Sequence, residues 1–300
     1  MATKKTGVEK APSWVTKHRI VEADARDLSF IATESVHFVC TSPPYADLIQ
    51  YPDHQGQLGN IASYEVFLEE MDKVWAECLR ILVPGGRVAC IVGDVCISRR
   101  QGGRHYVLPL SGDFQSRTRK IGFDNLTPIR WQKIANMKLE ASKSGRFLGK
   151  PNLPNGIIKN DIENILFFRK PGGYRSPTPE MERLSRITTD DYVKWFTPVW
   201  TDVRGQMRKE HPAPYPVEVA RRLIRMFSFA GDTVVDTFGG TGSTAMAALE
   251  TGRNSISVDI EPKYVAMMEE RLSSQGGLAA NIEVHRKAPE NIINTEAAAS

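Results

Sequence analysis

The chain has 300 residues, of which 41% are hydrophobic, and its formal net charge is +4 at pH 7. This hydrophobic content is enough for a sizeable core, and the length fits either two domains or one elaborated α/β domain. The mild positive charge is compatible with an acidic partner without requiring one. No apolar stretch is long enough to span a membrane and the four cysteines form no CxxC pair, so we expect a cytoplasmic protein with reduced, buried thiols and no metal site.

The first half of the chain predicts short strands and one long helix. The strands are apolar runs bounded by polar or Gly/Pro-containing turns. They lie at His18–Asp24, Val36–Cys40 and Arg87–Val95. A helix is predicted from Tyr64 to Leu82, because apolar residues recur there at helical spacing. Ser63 suits its N-cap, and Pro84–Gly86 stops it.

The second half predicts a more regular alternation of strands and helices. The predicted strands are Asn125–Lys133, Ile162–Lys170, Asp232–Asp236 and Ser255–Ile260. The predicted helices are Pro216–Phe227, a segment that enters from Gly239 and is capped by Gly252, and Glu261–Leu272. Such alternation is typical of an open, mostly parallel, doubly wound α/β sheet.

Three segments stand apart from this alternation. Residues 1–13 and 276–300 read as a disordered N-terminal tail and a loose C-terminal tail. Residues 171–207 contain several Pro, Arg and Asp residues, and their aromatic residues follow no clean period. We interpret them as a small insertion.

The first chemical motif, Thr41–Tyr45, reads TSPPY and ends a predicted buried strand. A proline cannot donate to a sheet ladder, and it restricts the residue before it. Two prolines therefore give a stiff, extended turn with fixed carbonyl groups and an aromatic ring at its tip. On its own, such a sequence is most often only a turn.

The second motif, Asp236–Thr244, reads DTFGGTGST and joins a predicted strand to a helix. Its glycines permit a tight turn and the close approach of a ligand, and the helix start offers free N–H groups. Asp259 follows about 20 residues after the glycines, where an acidic residue would bind ribose hydroxyls. The pattern is not GxGxxG and has no P-loop lysine. A nucleoside without phosphate, such as S-adenosylmethionine (SAM), therefore fits, and a turn that binds nothing is the alternative.

Together the two motifs resemble those of the amino-group DNA methyltransferases, which methylate N6 of adenine or N4 of cytosine. In that family a (D/N/S)PP(Y/F) motif forms the catalytic pocket, and a DPFxGSGTT-like motif binds SAM. The second motif departs from the family only at Thr237, Thr241 and Ser243. The catalytic motif comes first, as in the permuted β group. The resemblance covers most of Ile20–Leu272 and implies a Rossmann-like methyltransferase domain at residues 14–275.

The resemblance also implies the role of each site residue. The catalytic residues are Ser42, Pro43, Pro44 and Tyr45. The methionine end of SAM is lined by Asp236, Phe238, Gly239, Gly240, Gly242 and Thr244. Asp259 takes the ribose, Asp24 and Ala25 contact the adenine, and His211 and Pro212 close over the methionine end. An Asx turn is the alternative for Asp24, and an exposed loop histidine is the alternative for His211.

The implied chemistry needs no covalent nucleophile. The exocyclic amine is a poor nucleophile, and acceptors aimed at its N–H groups, the Ser42 side chain and the Pro43 carbonyl, would favour attack on the SAM methyl. Tyr45 would stack on the flipped-out base. Methylation at C5 of cytosine would need a cysteine after a proline, and Cys40 instead precedes Thr41. Family members with Ser in the first position of this motif mostly act on cytosine, which favours N4-cytosine over N6-adenine.

The expected partner is double-stranded DNA, contacted by basic loops, in a cytoplasmic, nucleoid-associated enzyme. The candidate stretches are Ser98–His105, Gln115–Lys120, Lys143–Lys150 and Pro171–Met207. The family places target recognition in the last of these, at residues 171–207. A homodimer and a separate cognate restriction endonuclease stay open. The alternatives are methylation of RNA or of protein glutamine, which the motif order disfavours, and a non-catalytic nucleic-acid-binding protein.

Overall fold

The fold is that of a computed structural model, which describes residues 15–45, 56–97, 99–133, 154, 158, 161–205, 215–276 and 280–288. The tail predicted at residues 1–13 lies outside these ranges. In the described residues the strands are β1 (Thr16–Glu22), β2 (Val36–Thr41), β3 (Leu82–Val92), β4 (Val95–Ile97), β5 (Tyr106–Leu108), β6 (Asp124–Gln132), β7 (Ile162–Arg169), β8 (Val199–Trp200), β9 (Thr233–Asp236), β10 (Asn254–Asp259) and β11 (Ala280–His285). The helices are α1 (Tyr64–Ile81), α2 (Arg99–Gly102), α3 (Leu110–Ile121), α4 (Pro179–Ser185), α5 (Thr189–Trp195), α6 (Val217–Phe227), α7 (Ser243–Glu250) and α8 (Pro262–Gly276).

Nine of these strands form one mixed sheet, in the order β11-β1-β10-β9-β2-β3-β7-β6-β8. Of these nine, β7 alone runs antiparallel to its neighbours. The other described strands, β4 and β5, pair with each other in a separate hairpin. The predicted doubly wound, mostly parallel α/β sheet is therefore confirmed.

The sheet is covered on both faces, which explains the nearly continuous apolar strands. Successive side chains of a strand point to opposite faces. In β2, Val39 packs with residues of α1 and α3, whereas Phe38 and Cys40 pack with residues of α6 and α7. A one-residue slip of this strand would exchange the two faces.

Helix α1 shows how local sequence and packing agree. It begins after Ser63, whose hydroxyl accepts the N–H of Val66 at 3.4 Å, and its apolar stripe is buried. Within that stripe Trp75 meets the rings of Phe114 and Phe168 edge-on, at 5.2 and 5.8 Å between centroids. These contacts fix α1 and α3 on the same face of the sheet.

The C-terminal tail prediction is wrong for residues 280–285. They form β11, which pairs in parallel with β1 from Thr16↔Ala280 to Val21↔His285. Ile282 and Val284 pack against the cluster under α7 and α8. The pairing satisfies the outer edge of β1, so this segment gains hydrogen bonds and apolar burial together.

The segment 171–205 contacts the sheet both at its amino edge and at its carboxyl edge. The segment leaves β7 at Lys170, which exchanges hydrogen bonds with Gly85 and Gly86 near the amino end of β3. Ser185 accepts the N–H of Ala230 at 2.7 Å, just before β9 begins, so α4 also lies at the amino edge. The segment then forms β8 and reaches the carboxyl edge, where Gly205 donates to the Lys133 carbonyl at 3.0 Å.

Candidate active site

The two sequence motifs meet between β2 and β9, where the order in which the chain adds strands to the sheet reverses. Strands β2 and β9 are parallel neighbours. The chain leaves β9 through α7 toward β10 on one side, and leaves β2 through α1 toward β3 on the other. A crevice outside the carboxyl ends of two such strands is the usual ligand site of an open α/β sheet. TSPPY follows β2, and the glycine turn follows β9.

A direct hydrogen bond joins the motifs. The Thr41 hydroxyl donates to Asp236 Oδ1 at 2.8 Å and lies 3.0 Å from the Thr237 hydroxyl. At the start of α7, the Thr244 hydroxyl donates to the Cys40 carbonyl at 3.0 Å. The two loops are therefore held in register by buried polar contacts.

Two glycines of the turn show what a larger residue would meet there. Gly242, the N-cap of α7, has φ of 78°, in the left-handed region. A Cβ on Gly239 would lie only 2.7 Å from the sulfur of Met268, because α8 packs tightly against the turn. The backbone of this turn is thus exposed to a ligand on one side and packed on the other.

A cavity that opens to solvent lies in the crevice between these loops. Eight of the predicted site residues line it: Asp24, Ala25, Ser42, Pro44, Phe238, Gly239, Gly240 and Asp259. Its wall also includes residues that the sequence analysis did not assign: Gly56, Gln57, Leu58, Tyr215, Ser243, Ile260 and Tyr264. Two of these residues had a signal in the sequence, since Ser243 lies within the second motif and Ile260 directly follows Asp259. His211 and Pro212 lie outside the described residues.

Asp259 stands at the end of β10 and is held by two backbone donors. Its Oδ2 accepts the N–H of Gly240 at 2.8 Å, and its Oδ1 accepts the N–H of Glu261 at 2.9 Å. Burial nevertheless raises its pKa to about 6, despite these two bonds. Its carboxylate can still accept hydroxyl donors, because each oxygen retains a lone pair.

Asp236 has a different position from the one that the family resemblance implied. It is 1% exposed, and its carboxylate accepts the Thr41 hydroxyl, the Phe238 N–H at 3.1 Å and the Tyr215 hydroxyl at 3.0 Å. Thr244, itself fully buried, is hydrogen-bonded to the same Tyr215 hydroxyl. In this arrangement Asp236 and Thr244 brace the turn from behind and do not line the cavity.

Asp24 lines the opposite wall and is strongly paired. Its Oδ1 accepts the Arg26 N–H at 2.9 Å, which is the Asx turn anticipated as an alternative. The Arg26 guanidinium also bonds Asp24 Oδ2 at 2.5 Å and Glu70 at 2.5 Å. The Asx turn and a place on the cavity wall are thus compatible for this residue.

Ser42 faces the cavity with its hydroxyl hydrogen already engaged. Its Oγ donates to the carbonyl of Ile91 in β3 at 2.9 Å. The oxygen lone pairs are therefore available as acceptors. Pro43 is buried behind it and Pro44 lines the cavity, so the turn is anchored on its sheet side.

Tyr45, at the tip of the turn, is fixed through its hydroxyl. The oxygen accepts the N–H of Gly93 at 3.1 Å and donates to Glu163 Oε1 at 3.3 Å. Glu163 is 7% exposed and pairs with Lys133. The sequence patterns gave no sign that Glu163 would contact Tyr45, because the two residues are 118 positions apart in the chain.

Neither a metal site nor a membrane span occurs in the part of the chain that the structure describes. No three His, Cys, Asp or Glu side chains in it are grouped to hold an ion. None of its helices combines the length and apolarity of a membrane span.

Comparison with known proteins identifies the family. The family model described as DNA methylase, for N6 and N4 methyltransferases, matches residues 36–270. The chain is 34% identical to the type II methyltransferase M.MjaI of Methanocaldococcus jannaschii, over 89% of this chain and 96% of that protein. It is similar to TTHA0409 of Thermus thermophilus in complex with S-adenosyl-L-methionine, with a TM-score of 0.75 and 43% identity over 90% and 98% of the two chains.

The cytosine-N4-specific PvuII DNA methyltransferase shares the fold, with a TM-score of 0.63 at 19% identity over 93% of this chain and 98% of that one. The family match covers most of the chain, and both motifs of the family meet at its central crevice. The chain therefore belongs to the N6/N4 DNA methylase family and is an amino-group DNA methyltransferase.

Proposed function

We propose that this enzyme transfers a methyl group from SAM to N4 of a cytosine flipped out of double-stranded DNA at a specific site. The observation that carries the proposal is the hydrogen bond from Ser42 to Ile91, 2.9 Å long, beside the cavity. It leaves the Ser42 oxygen as an acceptor at the place where the target amine would enter.

The cavity fits SAM by the chemistry of its walls. Asp259 offers a carboxylate to ribose hydroxyls, and Phe238 offers an apolar surface. Gly239 and Gly240 have no side chains, so the backbone of the turn itself forms part of the cavity wall. SAM supplies a methyl group on a sulfonium sulfur, which an amine nitrogen can attack. Among the described residues no lysine lines the cavity, in keeping with a nucleoside that carries no phosphate.

The TSPPY turn activates the amine. Two acceptors, the Ser42 oxygen and the Pro43 carbonyl, take the two N–H groups of the exocyclic amine and favour a localised lone pair on its nitrogen. The prolines and the Ser42–Ile91 bond fix these acceptors before the base arrives, so little reorganisation is needed during the reaction. As the nitrogen takes the methyl group and the carbon–sulfur bond breaks, the positive charge passes from the sulfur to the amine, which then releases a proton without a strong general base.

Tyr45 holds the base. A base inside the duplex cannot reach Ser42, so it must leave the stack. The bonds of the Tyr45 hydroxyl to Gly93 and Glu163 fix the direction of the ring, which would stack on the flipped base. Glu163 and Lys133 therefore act as positioning residues.

The choice of cytosine rests on Ser42 and on the family pattern for serine at this position. A hydroxyl is smaller than the carboxylate or amide that mostly accompanies adenine, which suits a different placement of the base. N6-adenine is the second candidate, since its amine presents the same two N–H groups. A fold that binds SAM and DNA without turnover is the candidate of a different class.

Nucleoside analysis tests these candidates. Plasmid DNA is incubated with the enzyme and SAM, digested to nucleosides and analysed by mass spectrometry. N4-methylcytosine as the sole new nucleoside is the expected result. N6-methyladenine alone would refute the base assignment, and SAM binding without any methylated nucleoside would favour the non-catalytic candidate.

Site specificity and partners are tested separately. Expression in a methylation-free bacterial host, followed by long-read sequencing, gives the target sequence. A restriction endonuclease of the same specificity and a homodimer are further expectations. Restriction assays on extracts and sedimentation of the purified enzyme check them.

A further inference from the structure

The β4–β5 hairpin, Val95–Leu108, projects from the catalytic edge of the sheet. Strand β3 ends beside the active site, where Gly93 donates to the Tyr45 hydroxyl. The hairpin begins two residues later. The chain returns to the same place, because Asp94 Oδ1 accepts the N–H of Ser111 at the start of α3, at 2.9 Å. Both ends of the hairpin are therefore anchored next to TSPPY.

The hairpin carries only positive formal charge. Between Val95 and Leu108 the sequence has three arginines and no Asp or Glu. Arg99, Arg100 and Arg104 are all exposed, and none forms an ion pair with a carboxylate of the described residues. Unpaired exposed arginines at one edge attract phosphates at no cost of breaking an existing pair.

Its exposed face also has apolar groups. Tyr106 is 37% exposed and Val107 is 45% exposed. The Arg104 guanidinium lies 5.2 Å from the centre of the Tyr106 ring, which restricts the arginine before it meets a ligand. A restricted guanidinium loses less side-chain entropy when it binds a phosphate.

Other basic stretches lie elsewhere or are already paired. Helix α3 starts at the catalytic edge and ends just before Asp124, the first residue of β6, whose carboxyl end lies at the catalytic edge. Arg119 and Lys120 therefore lie at the end of this helix that points away from the catalytic edge. Arg117 forms an ion pair with Asp72 at 2.5 Å.

Two further candidates remain from the sequence. Lys143–Lys150 lies outside the described residues. In the segment 171–205, α4 lies at the amino edge and only the end near Gly205 reaches the catalytic edge. This location disfavours that segment as the main recognition element, although its role in recognition stays a prediction. Of the described basic stretches, the hairpin is the one that is anchored beside the catalytic turn at both of its ends.

We propose that the β4–β5 hairpin is a DNA-contacting arm, in which Arg99, Arg100 and Arg104 bind backbone phosphates next to the flipped base. The inference rests on the proposed function, because it takes duplex DNA as the substrate. The arm holds the duplex against the carboxyl edge of the sheet, so that the extruded base enters beside Ser42.

Salt dependence of DNA binding tests the arm. The triple variant R99A/R100A/R104A is compared with wild type and with the control R119A/K120A, which removes exposed cations at the far end of α3. Each lost phosphate contact should flatten the slope of log K against log salt by about 0.9, hence by up to about 2.7 for three contacts. The control should keep the wild-type slope, and both variants should bind SAM as wild type does.

The outcomes separate the arm from the function. An unchanged slope in the triple variant, with wild type binding and methylating DNA, overturns the arm alone. Equal flattening in the control also overturns it, because net charge would then explain the effect. A wild type that neither binds nor methylates duplex DNA overturns the proposed function as well.

A second measurement is made on the wild-type protein, with C96S as its control. Cys96 in β4 is exposed, whereas Cys40, Cys78 and Cys90 are buried. A duplex with a disulfide-activated tether on a phosphate beside the target base should crosslink to wild type. The C96S variant, and a tether one helical turn or more away, should give no crosslink. Absence of the crosslink in wild type contradicts the proposed position of the arm.

Discussion

The pKa of Asp259 should give SAM binding a specific pH dependence. In the protein without ligand, burial raises this pKa to about 6. Ribose hydroxyls donate to the ionised carboxylate, so the ligand binds the deprotonated form. The affinity is therefore at its plateau above pH 6 and falls as the pH drops through 6. With a pKa of about 6, roughly one molecule in eleven is ionised at pH 5, so the apparent Kd should rise about tenfold between pH 7 and pH 5.

The pKa of Asp259 results from two opposing contributions, the burial of its carboxylate and the hydrogen bonds that it accepts. The two N–H bonds from Gly240 and Glu261 favour the charged form, but they do not offset the loss of hydration. The nearby carboxylate of Glu261 adds to the upward shift of the Asp259 pKa. The variant E261Q should therefore move the midpoint of the pH profile downward while leaving the plateau affinity nearly unchanged.

Isothermal titration calorimetry from pH 5 to pH 8 measures this profile. Asp259→Ala should bind about ten- to a hundredfold more weakly at pH 7, since hydrogen bonds to a charged group are worth about 1.5–3 kcal/mol. It should also lose the dependence around pH 6. Circular dichroism at each pH confirms that the fold is intact. A D259A variant that keeps the wild-type midpoint would show that another group controls binding, and an unchanged affinity would place the ribose elsewhere.

Three further predictions follow from the same contacts. Tyr45→Ala should lower the rate of DNA methylation while leaving SAM binding intact, since base stacking is worth about 1–3 kcal/mol. Tyr45→Phe keeps the ring but loses the bonds to Gly93 and Glu163, so its methylation rate should lie between those of Tyr45→Ala and wild type. Wild-type rates in both variants would exclude the stacking role. Ser42→Ala should lower single-turnover rates by about 10²–10³-fold, and a near-normal rate would assign the activation of the amine to the Pro43 carbonyl alone. His18 is fully buried, and burial lowers its pKa to about 4, so the stability of the fold should decrease as the pH falls from 6.5 toward 4, by on the order of 3 kcal/mol; urea unfolding of wild type and H18Q checks this, and an equal loss in both would contradict it.

The sequence by itself determined the local features of the site. Apolar runs between Gly and Pro residues predicted β2, β3, β7, β9 and β10, because each run depends on neighbouring residues. The two prolines and the glycines fixed the conformations of the two turns for the same reason. The family resemblance then supplied roles for side chains such as Ser42 and Asp259.

Only the tertiary structure decided which way these side chains face. Asp236 is 195 residues from Thr41, and the parallel pairing of β2 with β9 turns its carboxylate into a buried network instead of the cavity. Pairing with β1 likewise converts the segment Ala280–His285 from a predicted tail into an edge strand.

The positions of the two basic segments depend on strand direction. Because β7 is antiparallel, the segment that follows it starts at the amino edge, away from the active site, whereas the hairpin after parallel β3 starts at the catalytic edge. Strand direction is a property of pairings between residues distant in sequence. Local patterns therefore specify the motifs and their turns, and the sheet specifies which of them form the site.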